Sequence, residues 1–252
     1  MLPEWVQAGL WGLLAGGALF IGAVIGYFVQ VPQRLIAGIM AFGSGVLFSA
    51  LSFELMDEAY RTGGFVPTAA GFLGGALVYS AANYYLSHRG AKHRKRSGEH
   101  QQTEKDKPGS GMAIAVGALL DGIPESIVIG LSLLGGKGAS LVAVIAVFLS
   151  NIPEGLSSAA GMKKAGRSMG YIMGIWAGIA LISGIAALIG YSVFQDYSNT
   201  VIAATTAVAA GAILAMLVDT MVPEAFNETH EFTGLITVVG FMVSFILSKL
   251  AE

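Results

Sequence analysis

The chain has 252 residues and no cysteine, only four histidines, and charged side chains at just 12% of positions. Without cysteine there is no disulfide scaffold and no thiolate metal site. A soluble domain carries about a quarter charged residues, so the shortage of charge excludes a water-soluble globule. At 54% hydrophobic residues, disorder is excluded as well. The net charge of −2 offers no basic surface to a nucleic acid. There is no Gly-x-x-x-x-Gly-Lys-Ser/Thr loop for a nucleotide and no His-Glu-x-x-His pair for a zinc hydrolase. His88, His93, His100 and His230 all fall at or beyond the ends of apolar runs. No enzyme, prosthetic group or nucleic-acid partner is therefore expected.

What the chain has in abundance is long apolar runs. A membrane-spanning helix needs about 20 apolar residues. Eight stretches qualify, at roughly 5–30, 34–57, 64–87, 111–134, 139–161, 169–194, 200–224 and 232–249. None alternates with period two, so they read as helices rather than barrel strands. The expected fold class is all-α: a polytopic membrane protein with eight transmembrane helices, forming one domain over 1–252. The first run starts almost at Met1, is too long for a signal peptide and reads as a permanent helix. Gly12-xxx-Gly16, Gly22-xxx-Gly26, Gly71-xxx-Gly75 and Gly170-xxx-Gly174 provide small faces for close helix approach. Such faces permit a homodimer without requiring one.

Lys and Arg in the connections set orientation in the lipid bilayer. With the amino terminus outside, the inner connections hold Arg34, Arg89, Lys92, Arg94, Lys95, Arg96, Lys105, Lys107, Lys163, Lys164 and Arg167. The outer side holds only Arg61, Lys137 and Lys249. This bias predicts that both termini face outward, in a plasma membrane. The polar segment 88–110, His88 to Ser110, reads as a mobile cytoplasmic loop that orients the chain and links the third and fourth spans. Its functional reading is loose metal capture by His88, His93 and His100, or contact with anionic lipid.

Two internal matches suggest symmetry. LLDGIPES at 119–126 and FLSNIPEG at 148–155 share Ile-Pro-Glu on spans four and five, which cross in opposite directions. Segment 41–59 aligns without gaps on 207–225, pairing Gly45 with Gly211 and Glu58-Ala59 with Glu224-Ala225. Together they predict a 3+2+3 inverted-repeat bundle with its site near the midplane.

Glu54, Asp121, Glu125, Glu154 and Asp219 lie within the spans, and no Lys or Arg lies deep in any of them. Each central charge costs about 2.5–3.5 kcal/mol on the insertion scale. On this reading basic side chains cannot offset the acids, which leaves protonation, water-filled cavities or bound cations. Asp121 and Glu125 share a helix face, and Ser150 and Glu154 repeat the spacing beside Asn151. Pro124 and Pro153 free the carbonyls of Leu120 and Leu149. Gly122 and Gly155 would let the two helices approach. Two oxygen-rich faces of this kind would coordinate a divalent cation. Glu54 and Asp219 have a bland alternative, pairing with polar neighbours such as Ser52 or Thr220.

These residues resemble the ZIP family of divalent-metal transporters, whose signatures are His-Asn-x-Pro-Glu-Gly in span four and His-x-x-Pro-Glu in span five. The resemblance covers essentially the whole chain and implies a metal site between those spans. It carries the metal-binding glutamates onto Glu125 and Glu154. Asp121 replaces the first signature histidine, Gly122 the asparagine after it, and Ser150 the second histidine; Asn151 matches. A span-six Glu-Pro that bridges a second metal in many members falls on Ala187 and Leu188, which implies a single-metal centre. Glu224 corresponds to the family's exit-side acid, Glu58 would guide cations inward, and Asp219 and His230 would line the path.

The expected function is secondary transport of divalent metal into the cytoplasm. Zinc comes first by resemblance. Asp121, Glu125, Ser150, Asn151 and Glu154 are all oxygen donors, which suit manganese or ferrous iron more than a histidine site would. The alternatives are a proton-coupled transporter of another cargo, or a membrane protein that binds or senses metal without moving it.

Overall fold

The computed structural model describes residues 2–95, 101–135 and 138–251. Eight of its helices are long and apolar enough to cross a membrane, as hydropathy predicted: α1 (Glu4–Phe28), α2 (Gln33–Gly63), α3 (Phe65–Ala91), α4 (Ser110–Ser132), α5 (Leu141–Lys164), α6 (Met169–Phe194), α7 (Asn199–Asn227) and α8 (His230–Leu250). The chain is a multi-pass integral membrane protein. Its outer faces are apolar, with Leu73, Leu77 and Val78 on α3 and Leu235 and Val238 on α8 all exposed. Pro124 and Pro153 both lie inside continuous helices.

The local structure of α2 and α7 matches step for step. In α2 an α-helical stretch Gln33–Ala50 gives way to a π-turn at Leu51–Leu55 and resumes at Met56–Gly63. In α7 the succession is Asn199–Met216, Leu217–Met221 and Val222–Thr229. Every boundary falls in the register that aligns 41–59 on 207–225. A π-turn inserts one residue and rotates the face beyond it, and such turns collect at functional sites.

Packing shows a related correspondence, with the partners of each helix matched by those of its counterpart. The main partners of α1 are α5 and α6, those of α6 are α1 and α4, α2 packs on α7, α8 and α5, and α7 packs on α2, α3 and α4. Glycine makes the tightest approaches possible. A Cβ at Gly45 would fall 1.9 Å from the Thr237 carbonyl oxygen, and one at Gly211 would fall 1.9 Å from that of Phe72. No van der Waals contact allows such distances, so any larger residue forces the helix pair apart.

Three of the four Gly-xxx-Gly faces lie in helix contacts, on α1 and α3, whereas Gly170 and Gly174 meet nothing within 4 Å. Gly155 does permit a close approach, but to Leu19 of α1 rather than to α4, and the nearest neighbour of Gly122 is the Ser183 hydroxyl. Helices α4 and α5 touch only lightly.

Candidate functional site

Asp121, Glu125 and Glu154 are all buried, at 2%, 2% and 4% exposure. Helix α4 carries the first two one turn apart, and α5 carries the third behind Pro153. Neither helix closes on the other, so the groups that link these acids come from elsewhere.

They come from the connection after α3. Gly90, at φ 110°, turns the chain as α3 ends, and Arg94 and Lys95 enter the bundle. Arg94 donates through Nε to Asp121 Oδ2 (2.9 Å) and through Nη2 to Asp121 Oδ1 (2.8 Å). Its Nη2 also donates to the Tyr79 hydroxyl and its Nη1 to Asn83 Oδ1, both at 2.8 Å. Tyr79 in turn donates to Asp121 Oδ1 at 2.6 Å. Lys95 Nζ stands 2.8 Å from Glu154 Oε2 and 3.3 Å from Asp121 Oδ2. Arg94 and Lys95 are 2% and 3% exposed.

This corrects two expectations. Basic side chains do offset the buried acids, and the start of the 88–110 segment is packed structure rather than a solvated linker. Removing two cations from water costs several kcal/mol each, which bidentate pairing and additional hydrogen bonds offset. Further along, Glu104 accepts from the backbone N–H groups of Gly109 (2.8 Å) and Gly111 (2.6 Å), capping the start of α4. Those two donors hold its carboxyl below the usual carboxylate range. His88 lies against Tyr84, with the two rings tilted by 49°, and His100 lies outside the described residues.

Glu125 differs from the other two acids. Its Oε1 has no hydrogen-bond partner among the described residues. The side chain borders a cavity of about 20 Å³ lined by Leu47, Leu51, Val128, Val147 and Ile213. A space of that size admits about one water-sized occupant.

The other two residues of the expected ligand set face elsewhere. Ser150 Oγ donates to the Val147 carbonyl of its own helix, and Asn151 Nδ2 donates to Ala15 O on α1, both at 2.9 Å. Among the described residues no three His, Cys, Asp or Glu side chains are close enough to hold a metal ion. Asp121 and Glu154 are instead arranged around the Lys95 ammonium. Their oxygens remain the donor type that suits hard divalent cations.

The expected path residues are dispersed. Glu224 is buried and accepts from Ser157 Oγ at 3.4 Å. Asp219, on the π-turn of α7, is exposed and accepts from Asn83 Nδ2 at 3.3 Å. Glu58 is exposed and accepts from Thr62 at 3.0 Å. His230 stands edge-on to Phe226 at the junction of α7 and α8. Glu54 pairs with Ser140 (3.2 Å) and Ser248 (2.5 Å). Ser52 and Thr220 donate to carbonyls of their own helices instead.

Sequence reasoning missed Tyr79, Asn83, Arg94 and Lys95. Two signals were present. Tyr79 and Asn83 are polar residues one turn apart in an apolar span. Gly117 sits one turn before Asp121, and a Cβ there would fall 2.6 Å from Arg94 Cδ.

No family model matches the chain. Over 79 residues it is 37% identical to the zinc transporter ZupT of Enterobacter sp. (strain 638). That match covers 30% of this chain and 31% of the relative, so it spans less than a third of either protein.

Proposed function

We propose that this chain is a secondary transporter of ZIP type that carries divalent metal cations into the cytoplasm. Zinc is the first expected cargo, and manganese or ferrous iron follow from the all-oxygen donor set. The observation that carries this reading is that three carboxylates, Asp121, Glu125 and Glu154, lie buried on two Pro-containing helices of an eight-span bundle. Buried acids are expensive in a membrane and mark cation or proton paths. The partial likeness to a protein described as a zinc transporter supports metal over other cargo.

The matched π-turns and exchanged helix partners support a 3+2+3 inverted repeat, whose two halves rock about a fixed site. In that cycle metal approaches past Glu58, loses water, and binds among Asp121, Glu125 and Glu154, with Ser150 and Asn151 turning inward. It leaves past Asp219, Glu224 and His230. Both termini then face outward in the plasma membrane, a reading that the distribution of Lys and Arg supports.

The test is accumulation of zinc and manganese in cells that express the wild type or Glu125→Ala. Glu125 is the informative position because no ion pair is lost with it. Uptake by the wild type that drops to background in the variant is expected. Undiminished uptake by Glu125→Ala, at equal protein level, would refute the site.

A further inference from the structure

The space between Asp121 and Glu154 is filled by the protein's own cations. Arg94 and Lys95 belong to a polar connection, outside every span, and yet lie at the centre of the buried acids. Their placement does not rest on charge alone. The Ser157 hydroxyl of α5 donates to the Lys95 carbonyl. Gln101 Nε2 donates to the Arg94 carbonyl (3.0 Å) and to the Ser158 carbonyl (3.1 Å), strapping the connection to α5. On the other side Arg94 lies against Gly117, a position that no larger residue could occupy without moving it.

Each cation also has a second acid within one further step. Arg94 Nη1 donates to Asn83 Oδ1, and the amide of Asn83 donates onward to Asp219. The hydroxyl that holds the Lys95 carbonyl also reaches Glu224 Oε1. Asp219 is exposed, so a cation that moved towards it would leave the interior of the bundle.

The formal charges balance in both arrangements. Asp121 and Glu154, the two acids that pair with Arg94 and Lys95, carry no net charge together with them, and the same two acids with one divalent ion also carry none. Exchanging the two side-chain cations for a divalent metal therefore leaves the charge of the buried cluster unchanged. A single monovalent ion would leave an additional buried negative charge, which is costly in a membrane interior.

We propose that Arg94 and Lys95 are resident counter-cations of the transport site, which an entering divalent metal displaces towards Asp219 and Glu224. This rests on the transport reading and adds a selectivity rule: two side-chain charges leave for each divalent ion bound.

The experiment uses the full chain in detergent with manganese chloride, which does not react with thiols. Thermal stabilisation is titrated for the wild type and for Lys95→Gln. Removal of the competitor lowers the half-saturating manganese concentration by tenfold or more. In parallel Gln101→Cys supplies the sole thiol of the chain, since there is no native cysteine. The thiol is shielded from a water-soluble maleimide without metal and is labelled several times faster with it.

Manganese that stabilises both proteins with unchanged or weakened half-saturation in Lys95→Gln overturns the displacement and leaves the transport site standing. Failure of both manganese and zinc to stabilise either protein overturns the proposal together with the reading it rests on. If Lys95→Gln does not fold, the labelling decides alone: a rate that metal leaves unchanged overturns the proposal, and a several-fold rise supports it.

Discussion

The pairing of Arg94 with Asp121 can be tested as an energy, independently of any metal. Both side chains are about 98% buried, and the guanidinium makes two direct bonds to the carboxylate. Taking one partner from such a pair leaves an uncompensated charge, at a cost of about 3–5 kcal/mol. Arg94→Met and Asp121→Leu should each lose stability on that scale. The cost for Arg94→Met belongs at the lower end, because Tyr79 and Lys95 still reach the carboxylate. Replacing both partners by apolar groups removes the charges together, and such exchanges are often neutral or stabilising. The double variant should therefore lie within about 2 kcal/mol of the wild type, because Lys95 retains Glu154. That gives a coupling of about 3 kcal/mol or more, over a hundredfold in the unfolding constant. Reversible unfolding in mixed micelles, measured for all four proteins, supplies the cycle. The exposed pair Arg61–Asp57, also at 2.9 Å, is the control, and Arg61→Ala should change stability by less than about 1 kcal/mol. Additive losses in the Arg94–Asp121 cycle would refute the buried pairing and everything argued from it.

Two further outcomes are expected. Gly211→Val should lower stability by about 1–3 kcal/mol or prevent folding, because its Cβ would meet the Phe72 carbonyl at 1.9 Å. Gly17→Ala, which meets nothing within 4 Å, should be neutral or stabilise by up to about 1 kcal/mol; thermal unfolding in detergent distinguishes them, and equal tolerance would contradict the close packing of α3 on α7. The Glu104 carboxyl is held low in the fold by the backbone N–H groups of Gly111 and Gly109. Its stabilising contribution is thus present above the ordinary carboxylate range and is lost as pH falls through the lowered value. Unfolding measured from pH 7 down to pH 3 should show Glu104→Gln less stable than the wild type at neutral pH and level with it at the acid end. A difference that does not shrink on acidification would remove Glu104 as the cap of α4.

The spans were legible because hydropathy is a local property. A run of some 20 apolar residues is helical in lipid whatever surrounds it, since only a helix satisfies its own backbone there. The alignment of 41–59 on 207–225 was legible too, and the π-turns at Leu51–Leu55 and Leu217–Met221 fall in that register. The three buried acids stood out because their cost within an apolar run can be counted residue by residue.

What answers those acids depended on contacts between distant parts of the chain. Arg94 meets Asp121 across 27 positions, and Ser157 reaches back to Lys95 across 62. Composition places both cations in a polar connection, where solvation is the ordinary outcome. Only the turn at Gly90, the space left by Gly117 and the strap through Gln101 bring them inside. The same holds for Ser150 and Asn151, whose spacing suits a ligand set while their hydrogen bonds run to Val147 and Ala15. The sequence by itself determined that charge had to be compensated within the membrane. The tertiary structure decided that the protein's own cations compensate it, because a buried charge takes the nearest group of opposite sign that the fold can deliver with its hydrogen bonds satisfied.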